Sequence, residues 1–213
     1  MKINQKNWSD PIKQEARYET IINPYRDRYS QSVPAHRQYW SMCGQCATSK
    51  GEPLKGTEFS QMVDCGFIQE DQFHGIEIKP NIHKLNKKAY PNANWYQGDF
   101  YEQLKRAVSD GFDPAIVNMD TIITAEHIGE VSKVMLLLSD FAGDVMFVVN
   151  LITQVRSYKF KGVDYIVDKM NKNAQFVNAY NRANWSGWDK WYSYNGTGGN
   201  GGTWMGTFVF FKN

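Results

Sequence analysis

Three acids recur at a spacing that could do chemistry. Glu77 closes the run Phe73-His74-Gly75-Ile76-Glu77, Asp99 follows Gly98, and Asp120 ends Asn118-Met119-Asp120. The acids stand 22 and 21 residues apart, with helix-like segments between them. In an α/β protein this rhythm lines acids along the carboxyl edge of a parallel sheet, where open α/β sheets bind ligands. An acid ending the second strand can accept from both hydroxyls of a ribose, so the spacing suggests a nucleoside-containing cofactor. Glu77 and Asp99 could equally be solvated acids capping strands, and both readings stay open at this point.

The elements that must position these acids alternate. Pro11 to about Ser30 reads as a weakly amphipathic helix, with Pro24 forcing a kink or break. Gln38–Cys43 is a first strand, followed by a Gly/Ser/Thr/Pro-rich loop from Gly44 to Gly56. Thr57 can cap a helix to about Cys65, which Gly66 ends. Strand Phe73–Ile78, helix Asn81–Tyr90, strand Asn94–Gln97, helix Tyr101–Ser109 and strand Ala115–Asn118 follow. Helix Ala125–Phe141, strand Val145–Ile152 and a helix from Tyr165 to about Ala179 complete the alternation. The ending departs from it: Trp188–Tyr194 and Thr203–Phe211 are strand-like and joined by the Gly-rich 196–202, which makes an antiparallel hairpin. The expectation is an α/β fold, a doubly wound and mostly parallel seven-stranded sheet with helices on both faces and a C-terminal hairpin. Residues 1–37 form an N-terminal helical extension to a single domain of 38–213.

Composition frames the function classes. The 213 residues are 42% hydrophobic, enough for one good core. A net charge of +2 is too mild to demonstrate a nucleic-acid partner. Met1–Asp27 is polar and lacks the apolar centre of a secretory signal. The most apolar region, Val131–Ile152, is broken by Asp140 and Asp144, so no membrane span is expected. Three cysteines without an export signal point to free thiols and a cytoplasmic protein.

The element order and acid placement resemble the class I methyltransferases that use S-adenosylmethionine, over roughly Gln38 to Asn213. More narrowly, Gln38–Gly44, Gly56-Thr57-Glu58-Phe59, Gln72–Glu77 and Gly98-Asp99-Phe100 resemble small methyltransferase-like proteins of phages and environmental sequence. The resemblance implies S-adenosylmethionine as cofactor. It places Cys43-Gly44-Gln45 at the turn beside the methionine moiety, and Thr57 and Glu58 at a helix N-terminus facing the cofactor carboxylate. Glu77 would take the ribose diol with Ile78 beside it. Gly98-Asp99 would meet the adenine amino group, and Phe100 would pack on the ring. Asn118 and Asp120 would lie next to the transferred methyl as catalytic residues. Two features depart from the family. The Asp-x-Gly-x-Gly-like loop is absent, and Asp120-Thr121-Ile122-Ile123 stands where amine methylases carry an Asp-Pro-Pro-Tyr-like motif. The acceptor, nucleic acid or small molecule, and the oligomeric state are unreadable.

Other groups were weighed as well. Cys43-Gly-Gln-Cys46 has redox-pair spacing, but a loop follows it where a redox pair has a helix. Cys43, Cys46, Cys65 and His74 lack zinc-knuckle spacing, so free thiols are expected and no metal. His74 reads as structural, and His127 as within reach of a substrate. Lys84, Lys87 and Lys88 share a helix face and, with Arg26, Arg28 and Arg37, could meet a nucleic-acid backbone. Asn184–Trp188 is either a stacking lip or a cover for the sheet edge. No nucleophile elbow supports a hydrolase. The competing class is a catalytically inactive binding module of the same fold; a nicotinamide oxidoreductase is disfavoured by the hairpin and the missing Gly-x-Gly-x-x-Gly.

Overall fold

A computed structural model describes residues 11–29, 31–124, 128–141, 143–154, 162–187, 191–196 and 203–212. The chain is α/β and divides into two compact units, Met1–Asn118 and Met119–Asn213.

In the first unit, helix α1 (Pro11–Arg17) runs through one wide π-turn (Tyr18–Ile22) into α2 (Asn23–Tyr29). The π-turn sits where Pro24 withholds its amide hydrogen, so the break expected there takes the form of a bulge rather than a stop. Ala16, Ile21, Ile22 and Tyr25 are buried, and Tyr25 meets Phe67 edge-on at 5.5 Å. Residues 1–37 are thus not set apart by compactness: their described part belongs to the first unit.

Strand β1 (Gln38–Ser41) leads through a long loop to α3 (Glu58–Asp64); then come β2 (Phe73–Glu77), α4 (Pro80–Ala89), β3 (Asn94–Gln97), α5 (Phe100–Ser109) and β4 (Pro114–Thr124). The strands run in the order β3-β2-β1-β4 and pair in parallel, Trp40 beside His74, Gly75 beside Trp95 and Ser41 beside Asn118. One face of the sheet carries Tyr39, Phe73 and Trp95, onto which Phe59 of α3 packs. Gly75 is required there, since a Cβ would stand 2.4 Å from the Trp95 ring. The opposite face carries Trp40, His74 and Tyr96, stacked within 4.4–5.7 Å of each other.

Strand β4 is longer than expected. The polar Asn118 and Asp120 read as its end, but the β-branched Thr121, Ile122, Ile123 and Thr124 extend it. Asp120 therefore lies within the strand rather than just past it.

In the second unit, α6 (Ile128–Ser139), β5 (Met146–Gln154), α7 (Gly162–Lys172), α8 (Ala174–Arg182), β6 (Trp185–Ser186), β7 (Trp191–Gly196) and β8 (Thr203–Lys212) follow. The single helix expected from Tyr165 is two, because the Asn173 side chain accepts from the Phe176 N–H at 2.9 Å and starts α8. β8 runs antiparallel to β5 on one side. On its other side lie β6 and β7, also antiparallel. Among the described residues the place expected for one strand beside β8 is thus shared by two pieces. Trp185, expected at the sheet edge or a lip, is a buried edge-strand residue; Trp188 and 197–202 lie outside the described residues. Among the described residues no helix is long and apolar enough to cross a membrane.

Candidate functional site

The candidate residues of the first unit gather at the carboxyl ends of β1 and β2 and beside Asn118 of β4. Tyr39 and Asn118 lie on one face of adjacent strands, through the Tyr39–Ile116 and Ser41–Asn118 register. Tyr39 Oη donates to Glu58 Oε1 at 2.9 Å, and the Asn118 side chain hydrogen-bonds the same phenol. Burial, then the Glu58 carboxylate, raise the Tyr39 phenol well above its ordinary value. The phenol therefore remains a donor, and Asn118 is held in one orientation.

Cys43 is buried, 4% exposed. Burial first, then Cys46, then the carboxylates of Glu58 and Glu77 push its thiol well up. Glu58 and Glu77 are 3% and 9% exposed, so two buried carboxylates act on one buried cysteine. Glu77 Oε1 accepts from the Lys79 N–H at 2.8 Å, and a carboxylate retains capacity for further donors after one such bond.

The loop after β1 replaces a glycine-rich turn. Gly44 takes φ +61°, a left-handed conformation costly for other residues. Asn86 then pins the backbone: its Nδ2 donates to Gly44 O at 2.8 Å and its Oδ1 accepts from Cys46 N–H at 2.9 Å. The chain next makes a small hairpin closed by the Ala47–Pro53 bridge. Gln45 is buried and spends its amide on Ala47 O at 2.6 Å. Asn86 is a determinant that the sequence reading passed over. Its signal was legible, since a polar residue occupies the apolar stripe of α4 with Ile82, Leu85 and Ala89.

Other expected residues fall differently. Thr57 does cap α3, its Oγ1 accepting from Ser60 N–H at 3.3 Å. However, the Glu58 carboxylate stands at this short helix's start, so the place expected to receive a cofactor carboxylate is negatively charged. Gly98, at φ +142°, donates its N–H to Glu77 O at 3.2 Å, which sets the β3 exit against the β2 exit. Asp99 is exposed and caps α5 by accepting from Glu102 N–H at 3.1 Å. Phe100 is 4% exposed, so its ring faces the core rather than a ligand. Ile78, next to Glu77, is 66% exposed and offers the apolar surface instead. Asp120 is exposed on β4, in the second unit.

Cys65 is half-buried and His74 is held by Tyr96 Oη at 3.1 Å from Nδ1. Among the described residues no cluster of His, Cys, Asp or Glu could hold a metal ion. His127 lies outside the described residues.

No protein-family model matches the chain, and no curated protein matches it. Solved structures do match. The plantazolicin methyltransferase BpumL, solved with a pentazolic desmethylPZN analogue and SAH, is 14% identical over 95% of this chain and 86% of that one, with a TM-score of 0.51. A putative SAM-dependent methyltransferase from Streptococcus mutans is 8% identical over 89% of this chain, TM-score 0.51. That protein is about twice as long, the match covering 48% of it. At such identities the likeness shows the fold alone, an α/β architecture shared with these methyltransferases.

Proposed function

We propose that the chain is a methyltransferase that takes S-adenosylmethionine as methyl donor. The observation that carries this reading is that two buried acids, Glu58 at the start of α3 and Glu77 at the end of β2, both act on the buried Cys43 just past β1. The donor set fits such a cofactor, which bears a ribose diol, an adenine, an ammonium group and a sulfonium. Glu77 would accept from the ribose hydroxyls, and Ile78 and Asp99 would hold the adenine, Ile78 by contact and Asp99 by accepting from its amino group. Glu58 suits the cationic end of the molecule, and the Gly44 turn lets backbone approach it.

When bound, the cofactor would supply an electrophilic methyl on sulfur for transfer to an acceptor nitrogen or oxygen. The chain's own residues contribute position and electrostatics. Asn118, which hydrogen-bonds Tyr39, keeps its place in this reading as a contact for the acceptor.

Calorimetric titration with S-adenosylmethionine and S-adenosylhomocysteine tests the reading. Micromolar binding is expected, weakened by about 1–3 kcal/mol in Glu77→Ala. Absence of heat and of any thermal shift with both compounds would overturn it.

A further inference from the structure

We infer that the lysine-rich face built by α4 and the Ala47–Pro53 hairpin binds the sugar-phosphate backbone of a nucleic acid. From Ile78 to Gly98 the chain carries Lys79, Lys84, Lys87 and Lys88 and no acid. All four lysines are exposed. The fold brings two more to them. Lys88 Nζ donates to Lys50 O at 2.8 Å, and the Lys88 stem lies against Gly51, where a Cβ would stand 2.6 Å from it. Tyr90 Oη, just past α4, donates to Leu54 O at 3.3 Å and so holds the segment bearing Lys55. Lys50 and Lys55 are exposed as well, with Glu52 the acid on that hairpin. Among the described residues none of the six lysines forms an ion pair. Positive charge is thus concentrated on a face whose acids do not neutralise it.

The chemistry of the face selects among anionic partners. A membrane-binding helix needs large apolar side chains on the side that meets the lipid. The exposed residues of α4 are Pro80, Asn81, Lys84, Lys87 and Lys88. Protein interfaces are depleted in lysine and rely on aromatic and arginine anchors, which these exposed α4 residues lack. Lysine is a point charge on a flexible stem, suited to phosphates that need no fixed plane. From Lys79 to Lys88 the helix rises about 13 Å, the length of about four phosphates along one strand of a duplex. The face also begins at the residue whose N–H holds Glu77, so a bound strand would lie next to the candidate cofactor site. The inference stands without the methyl donor and is tested without it.

Fluorescence anisotropy with labelled oligonucleotides of about 20 residues decides the matter, using single-stranded RNA, single-stranded DNA and duplex DNA between about 50 and 200 mM salt. Binding should weaken with salt, the log–log slope having a magnitude of about 2 or more. Lys84→Glu/Lys87→Glu/Lys88→Glu should weaken binding at least about tenfold and lower that slope by about 2. Acids in the last turn oppose the helix dipole, so Lys84→Gln/Lys87→Gln/Lys88→Gln, with a melting temperature near the parent's, guards against misfolding and should show the same direction. Lys133→Glu, in the second unit, should bind as the parent does. Equal affinity of parent and both triple variants overturns the inference. So does tighter binding to phosphatidylserine vesicles or to polyglutamate than to any of the three nucleic acids. Titrating the same variants with S-adenosylhomocysteine separates this outcome from failure of the cofactor reading.

Discussion

Tyr39 Oη donates to Glu58 Oε1 at 2.9 Å, with Tyr39 0% and Glu58 3% exposed. The bond joins β1 to the first residue of α3, and Asn118 of β4 hydrogen-bonds the same phenol. Removing the donor leaves a buried carboxylate short of a partner, a loss that costs more than the bond itself contributes. Tyr39→Phe should therefore lower unfolding stability by about 1–3 kcal/mol in chemical denaturation. Glu58→Gln keeps an acceptor without the charge and should cost less. In the double variant the effects should be non-additive by at least about 0.5 kcal/mol, as expected for groups in contact.

Asp99 has two assignable roles, and substitution separates them. As a cap of α5 its carboxylate accepts from the Glu102 N–H. Asparagine caps about as well as aspartate, whereas alanine costs about 1 kcal/mol. Asp99→Asn should melt like the parent and Asp99→Ala below it. If the carboxylate also takes the adenine amino group, both variants should bind S-adenosylhomocysteine more weakly. Unchanged affinity in both would confine Asp99 to capping.

Thiol reactivity follows burial. Cys46 and Cys43 are 0% and 4% exposed, and Cys65 is half-buried. Burial and neighbouring carboxylates keep the Cys43 thiol protonated at neutral pH, and the thiolate is the reactive form. A colorimetric disulfide reagent should modify Cys65 ahead of the other two in the native protein, and all three rapidly in denaturant. Fast native modification of Cys43 would contradict the site as described.

Much of the architecture could be read from the chain because it rests on local signals. Alternating apolar runs, Thr57 as a cap, Gly66 as a stop and Pro91 after α4 fixed the first unit's elements closely. What escaped depends on contacts between distant residues. Asn118 reads as a strand end, yet it is a strand interior residue that hydrogen-bonds Tyr39, 79 positions earlier in the chain. Glu58 was read as part of a helix N-terminus that receives an anion, but its own carboxylate occupies that end. The acids Glu77 and Asp99 were legible by spacing. The service of Asp99 as a cap was not, since capping depends on where α5 starts, at Phe100 rather than Tyr101.

His74 gives the protein a dependence on pH that can be isolated. It packs against both Trp40 and Tyr96 and is 4% exposed, and burial lowers its pKa to about 4. In the unfolded chain the value is about 6.5. Between these values the unfolded state binds the proton and the native state does not, so stability rises with pH. Above about pH 6.5 both states are neutral and the contribution is flat; as pH falls from there towards 4 stability is progressively lost. From pH 7.5 to pH 5 the loss owed to His74 is about 2 kcal/mol. His74→Gln keeps a polar group near Tyr96 Oη but cannot titrate, and should be less stable than the parent at pH 7.5. Its urea midpoint should then fall less steeply with acid, so that the two proteins converge near pH 5. Parallel midpoint curves for the two proteins would mean that His74 titrates normally and is not enclosed by the aromatic stack.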